Sequence, residues 1–245
     1  MTVLKDIPYG EHEACKPDIY KPDVANGDWL VFSHGGGLER GARTDNAAAF
    51  QALALKGVTV ASAGYRLYPT AKYPAFIEDA ASAVAFCFFQ KEKPRRIFAA
   101  GSSAGAYLAM MLRFDAKYLL AHGINSCDIN GYIFNAGQPT THFNVLKARG
   151  MDTRRIVVDD AAPLYHIAES AAWPPMLLLV AESDIPCRLE QTQQLCASMR
   201  QFGCPESQIR YRVMVGYGHV GYDDAADESG GNVLAAFIIA FMEGM

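Results

Sequence analysis

Three separated stretches of this 245-residue chain hold residue types that could carry out acyl transfer together. The first is Gly101-Ser102-Ser103-Ala104-Gly105, which sets a hydroxyl, Ser103, between two glycines. A serine that must project from a cramped strand-to-helix turn needs neighbours without bulk, and the N–H groups opening the next helix then face any negative charge that develops. Ser102 is the competing hydroxyl, but it occupies the variable position of the pattern. Glycine-rich turns without chemistry share such a pattern, so its weight comes from the strand before it and the helix after it. The second stretch, His34-Gly35-Gly36-Gly37, leaves backbone N–H groups uncovered at a strand end upstream. The amides of Gly36 and Gly37, joined by that of Ala104, form the predicted oxyanion hole. One such donor is worth about 2.7–4 kcal/mol in a transition state. His34 itself is expected to prop this loop.

Serine at its free pKa is a poor nucleophile and needs an adjacent base, which in turn needs an orienting group. Six histidines compete, at 12, 34, 122, 142, 166 and 219. Only His219 directly follows a late strand, in Val215-Gly216-Tyr217-Gly218-His219, so it is the predicted base. The acid should lie between serine and histidine, just past a strand. Asp184 does so in Val180-Ala181-Glu182-Ser183-Asp184, with Glu182 as the alternative, closer to the strand end. The predicted catalytic set is therefore Ser103, Asp184 and His219. A histidine base must be neutral, so turnover is expected to fall in acid.

The elements that must position these groups follow from the hydrophobic pattern. Short apolar runs at 29–33, 58–63, 97–100, 132–136, 176–181 and 209–215 read as buried strands. Helical spacing covers 44–56, with Asp45 near its start and Gly57 as its stop, then 74–90, 104–114, 190–202 and 232–242. Strands alternating with helices predict an α/β fold, a mostly parallel sheet covered on both faces. Ligands in such sheets bind outside the carboxyl ends of the strands. Residues 137–173 break the rhythm and are expected to form a small lid over the site, inserted in a single domain spanning 1–245. Gly216-x-Gly218-x-x-Gly221 matches a dinucleotide fingerprint, but no further strand follows to complete a βαβ unit. Asp223, Asp224, Asp227 and Glu228 beyond it read as a solvated loop.

Composition narrows the classes. Hydrophobic residues make up 51% and charged residues 20%, enough for a large core, and the net charge of −4 offers no broad cationic surface for nucleic acid. The longest apolar run, 233–242, falls short of the roughly 20 residues a membrane span needs. The first ten residues carry Lys5 and Asp6 and lack a signal-like apolar stretch, so a cytoplasmic protein is expected. Six cysteines without a C-x-x-C pair read as free thiols. No metal is expected, because H-E-x-x-H, paired histidines and a cysteine cluster are all missing from the sequence.

Together these residues resemble the α/β-hydrolase superfamily, and within it the hormone-sensitive-lipase-like and feruloyl-esterase-like carboxylesterases. Further motifs carry the resemblance: Gly64-Tyr65-Arg66-Leu67-Tyr68-Pro69, Tyr73-Pro74-Ala75, Glu78-Asp79-Ala80, Asp18-Ile19-Tyr20 with Pro22, and Trp173-Pro174-Pro175. The resemblance implies an α/β-hydrolase fold and cofactor-free hydrolysis of a small-molecule carboxylic ester, short-chain, polar or carbohydrate-linked, through an acyl-enzyme. Leu38-Glu39-Arg40 departs from it, since the family often places an aromatic residue shortly after HGGG. Two alternatives stand beside the esterase: an amidase or formamidase of the kynurenine-formamidase type, and a non-catalytic ligand-binding protein on the same fold.

Overall fold

The computed structural model describes residues 1–168, 170 and 172–245. Glu169 and Ala171, inside the 137–173 insertion, lie outside the described residues. In chain order the main elements are β1 (Thr2–Leu4), β2 (Pro17–Lys21), β3 (Asp28–Ser33), α1 (Ala47–Leu55), β4 (Thr59–Ala63), α2 (Ala75–Phe88), β5 (Arg96–Ser102), α3 (Ala104–Phe114), α4 (Lys117–Leu120), β6 (Gly131–Asn135), α5 (Phe143–Ala148), β7 (Met176–Ser183), α6 (Arg188–Gln201), β8 (Ile209–Gly218) and α7 (Val233–Glu243). The eight strands form one sheet in the order β1-β2-β4-β3-β5-β6-β7-β8. Pairing is antiparallel from β1 through β2 to β4 and parallel across the rest.

The period-two alternation of side chains explains how near-continuous apolar strands serve two faces. Val31, Ile97 and Ala99 point into one core, where Ile77 and Val84 of α2, Tyr107 and Met111 of α3, and Leu195 and Met199 of α6 meet them. Leu30, Phe32, Phe98 and Ala100 point the other way, onto Phe50 and Leu53 of α1 and Leu234, Ile238 and Phe241 of α7. Because β3, β5, β6, β7 and β8 run in one direction, the residues after each of them emerge at the same edge. Among the described residues, no helix is long and apolar enough to cross a membrane.

Several details differ from the sequence pattern, among them β2, α4 and α5, which lie outside the runs read from it. The expected Asp45 start of the first helix is displaced by one residue: Asn46 precedes α1 without capping it, and its side chain reaches elsewhere. The three-residue edge strand β1 carries no readable alternation and was invisible in the pattern. The 137–173 stretch is packed down, holding α5 and a 3₁₀ turn at Pro163–His166, with Thr140, Thr141, His142 and Leu146 fully buried.

Candidate active site

Ser103 sits between the last residue of β5 and the first of α3 with φ +54° and ψ −111°, a backbone that a side-chain-bearing residue adopts only under constraint. Its N–H donates to the Asn135 carbonyl at the end of β6 (2.7 Å), and its own carbonyl accepts from Tyr107 N (3.1 Å). The flanking glycines are forced by contact. A Cβ on Gly105 would lie 1.9 Å from the Ser33 carbonyl oxygen, and one on Gly101 would lie 2.2 Å from the Gly105 carbonyl carbon. The helix can start this close to β3 only where both side chains are absent.

His219 enters from the turn after β8, and its Nε2 lies 2.8 Å from Ser103 Oγ. Its Nδ1 lies 2.6 Å from Asp184 Oδ1, on the turn after β7. An ionised carboxylate can only accept, so Nδ1 carries the proton and Nε2 is left as the acceptor for the serine hydroxyl. Asp184 also accepts from the backbone N–H groups of Ile185 (2.8 Å) and Ala181 (3.2 Å). Burial pushes its carboxyl up, but the hydrogen bond and charge of His219, with those two amides, outweigh this and hold it below its ordinary value. Glu182, the alternative acid, is exposed and instead accepts from Gly216 N at 3.0 Å.

The His34–Gly37 loop follows β3 at the same edge. Gly36 turns with φ +102°, where a Cβ would lie 2.1 Å from the Arg40 carbonyl oxygen. Its own carbonyl accepts from Glu39 N and Arg40 N, which closes the turn. His34 is buried, its ring stacked on Tyr65 with centroids 4.3 Å apart and its Nδ1 2.8 Å from the Gly35 carbonyl. Tyr65 in turn donates its hydroxyl to the His34 carbonyl (2.8 Å), so the prop expected at this position is built from both rings. Leu38 turns into the core, which leaves Glu39 and Arg40 facing outward.

A cavity of about 560 Å³ opens over Ser103 and His219, lined also by Gly35, Gly36, Gly37 and Phe143. Phe143 supplies the aromatic wall absent after the glycines: its ring edge lies 2.9 Å from where a Cβ on Gly37 would be. This residue comes from α5, and nothing in its local sequence marked it.

The acidic stretch after His219 requires a correction. Asp224, Asp227 and Glu228 are exposed as expected, but Asp223 is buried. Its carboxylate accepts from Ser102 Oγ (2.6 Å), Asn135 Nδ2 (2.7 Å) and Asn46 Nδ2 (3.0 Å). Burial pushes its carboxyl above the ordinary value, against the pull of those three donors. Ser102 is 3% exposed at the margin of the same cavity, and its hydroxyl proton is committed to Asp223.

The family model BD-FAE matches residues 17–119. Among solved structures, esterase B of Lactobacillus rhamnosis superposes with a TM-score of 0.78 at 16% identity, over 99% of this chain and 85% of that one. The butyrate-bound esterase Est2 of Thermogutta terrifontis does so at 0.76 and 19% identity, over 99% and 94%. The chain shares the fold of these esterases. The chain is also similar to a kynurenine formamidase of Danio rerio, 29% identical over 82% of the chain and 70% of that protein.

Proposed function

We propose that this hydrolase cleaves small carboxylic esters through an acyl-enzyme, with Ser103 as nucleophile, His219 as base and Asp184 as its orienting acid. The observation that carries the reading is the unbroken run of contacts from Asp184 through His219 to the Ser103 hydroxyl. In this mechanism His219 Nε2 takes the Ser103 proton as Oγ bonds to the ester carbonyl carbon. The carbonyl oxygen becomes an oxyanion facing the amides of Gly36, Gly37 and Ala104. Collapse breaks the bond to the leaving alcohol, which receives its proton from the imidazolium. Water, deprotonated by the same imidazole, then attacks the acyl-enzyme and releases the acid, returning Ser103 to its starting state. Asp184 stabilises the imidazolium without accepting its proton, consistent with a carboxyl held below its ordinary value.

Ester hydrolysis is supported by the esterases that share the fold and by the BD-FAE match. The similarity to a kynurenine formamidase favours a second reading, formamide hydrolysis by the same residues. A parallel assay of p-nitrophenyl acetate and butyrate against N-formylkynurenine separates the two by kcat/KM. Ser103→Ala is expected to lower turnover on the order of 10⁴-fold or more and to abolish labelling by a fluorophosphonate. Near-normal hydrolysis by a folded Ser103→Ala protein would reject the mechanism, and failure of the wild type to label would favour a ligand-binding protein instead.

A further inference from the structure

Asp223 lies four positions beyond His219, yet its carboxylate is bonded to the residue that immediately precedes Ser103. The ties at this point run between four strand and helix ends. The Asp223 N–H donates to the Val220 carbonyl (3.0 Å), which closes the turn that carries His219. Its carbonyl accepts from Asn232 Nδ2 (2.8 Å), ahead of α7. Its side chain reaches Ser102 at the end of β5, Asn135 at the end of β6 and Asn46 before α1. Asn135 Nδ2 also donates to Ser102 Oγ (2.9 Å), Asn135 Oδ1 accepts from the Tyr222 hydroxyl (2.5 Å), and the Asn135 backbone carbonyl holds Ser103 N (2.7 Å).

The carboxylate is 5% exposed, and among the described residues no lysine or arginine pairs with it. Taking a carboxylate out of water carries a desolvation cost that hydrogen bonds from neutral donors must offset. What the carboxylate adds is direction, since two oxygens with fixed lone pairs set the places of three donors from three separate elements.

We infer that Asp223 is a positioning residue for the hydrolytic reaction: through Ser102 and Asn135 it locks the histidine-bearing turn to the serine-bearing one, holding Ser103 and His219 in register during acylation. This role rests on Ser103 acting as the nucleophile. Both sides of the Ser103–His219 contact are anchored at one carboxylate, so loosening it moves the reacting pair, while Asn46, Ser102 and Asp223, which also line the cavity, are nearly buried and present little of their own surface to it.

The test is Asp223→Asn, which keeps the shape but replaces one acceptor oxygen by an NH₂, set either against the donors Ser102 and Asn46 or against the donor Asn135. The expected result is a kcat lowered by about 10- to 100-fold with KM within about twofold of wild type, and fluorophosphonate labelling slowed by the same factor. Ser102→Ala cuts the same link from the other end. It should lower kcat in the same sense, and the double variant should be no slower than the slower single one, because the two groups act as a unit. If Asp223→Asn does not fold, the kcat and KM of Ser102→Ala decide the matter. A folded variant with wild-type kcat and labelling rate, or losses that multiply in the double variant, would overturn the role. Wild-type protein that does not label would withdraw the nucleophile itself, whereas labelling wild type with an equally fast variant would withdraw only the positioning role.

Discussion

Acid should weaken this protein through His142, and the size of the effect can be worked out. The ring is 1% exposed, packed against Tyr107 and Phe143 with centroids 5.1 Å and 4.3 Å away, and its Nδ1 accepts from Asn144 N (3.2 Å) at the start of α5. Burial, with the nearby Arg188 charge, pushes its pKa down from 6.5 to about 3. The folded state therefore keeps His142 neutral at pH 5 while the unfolded chain takes up a proton below 6.5, so stability is lost as pH falls through that window. Between pH 7 and pH 5 the uneven uptake amounts to about 2 kcal/mol from this residue, at 1.36 kcal/mol per pH unit. His142→Asn retains an acceptor suited to the helix start and removes the titration. Urea unfolding of both proteins at the two pH values measures the difference, and the variant should lose about 2 kcal/mol less than wild type. Equal losses would refute the reasoning, as they would mean that the imidazole takes up its proton in the folded state.

Two other outcomes follow from packing and thiol chemistry. Gly105→Ala forces a methyl group against the Ser33 carbonyl, so it should cost about 3 kcal/mol or more in urea unfolding, and a drop under 1 kcal/mol would mean that α3 can retreat from β3 freely. Iodoacetamide at pH 8 should modify Cys187, which is exposed, well before the buried Cys15, Cys196 and Cys204, whose thiols burial pushes up to about 11. Peptide mass mapping of a brief treatment reads the order directly, and early modification of Cys196 would contradict it.

Much of the architecture was legible because apolar runs and helical spacing alternate from residue 29 onward, and one strand direction then places every following loop at one edge. The proximity of Ser103, Asp184 and His219 could be anticipated from that edge and from chain order. Between Asp184 and Glu182 the sequence offered only position, and the register shift near the end of β7 separates them, sending Glu182 outward to Gly216. Asp223 could not be foreseen. It stands in a run of acidic and small residues that looks solvated, and its partners lie 177, 121 and 88 positions away, where no local pattern reaches. Phe143 was hidden for the same reason, since its place over Gly37 depends on how the 137–173 stretch folds back.

Ser103 and His219 are separated by 116 residues of chain. A ribosome adding about 5–20 residues per second incorporates the serine roughly 6–23 s before the imidazole exists. With His219 as the base that activates Ser103, as proposed, the hydroxyl would be an ordinary alcohol throughout that interval. Under the proposed mechanism, reactivity is therefore conferred by the final strand docking on the sheet, and covalent capture by a phosphonate probe would report completed folding of the C-terminal portion as directly as it reports turnover.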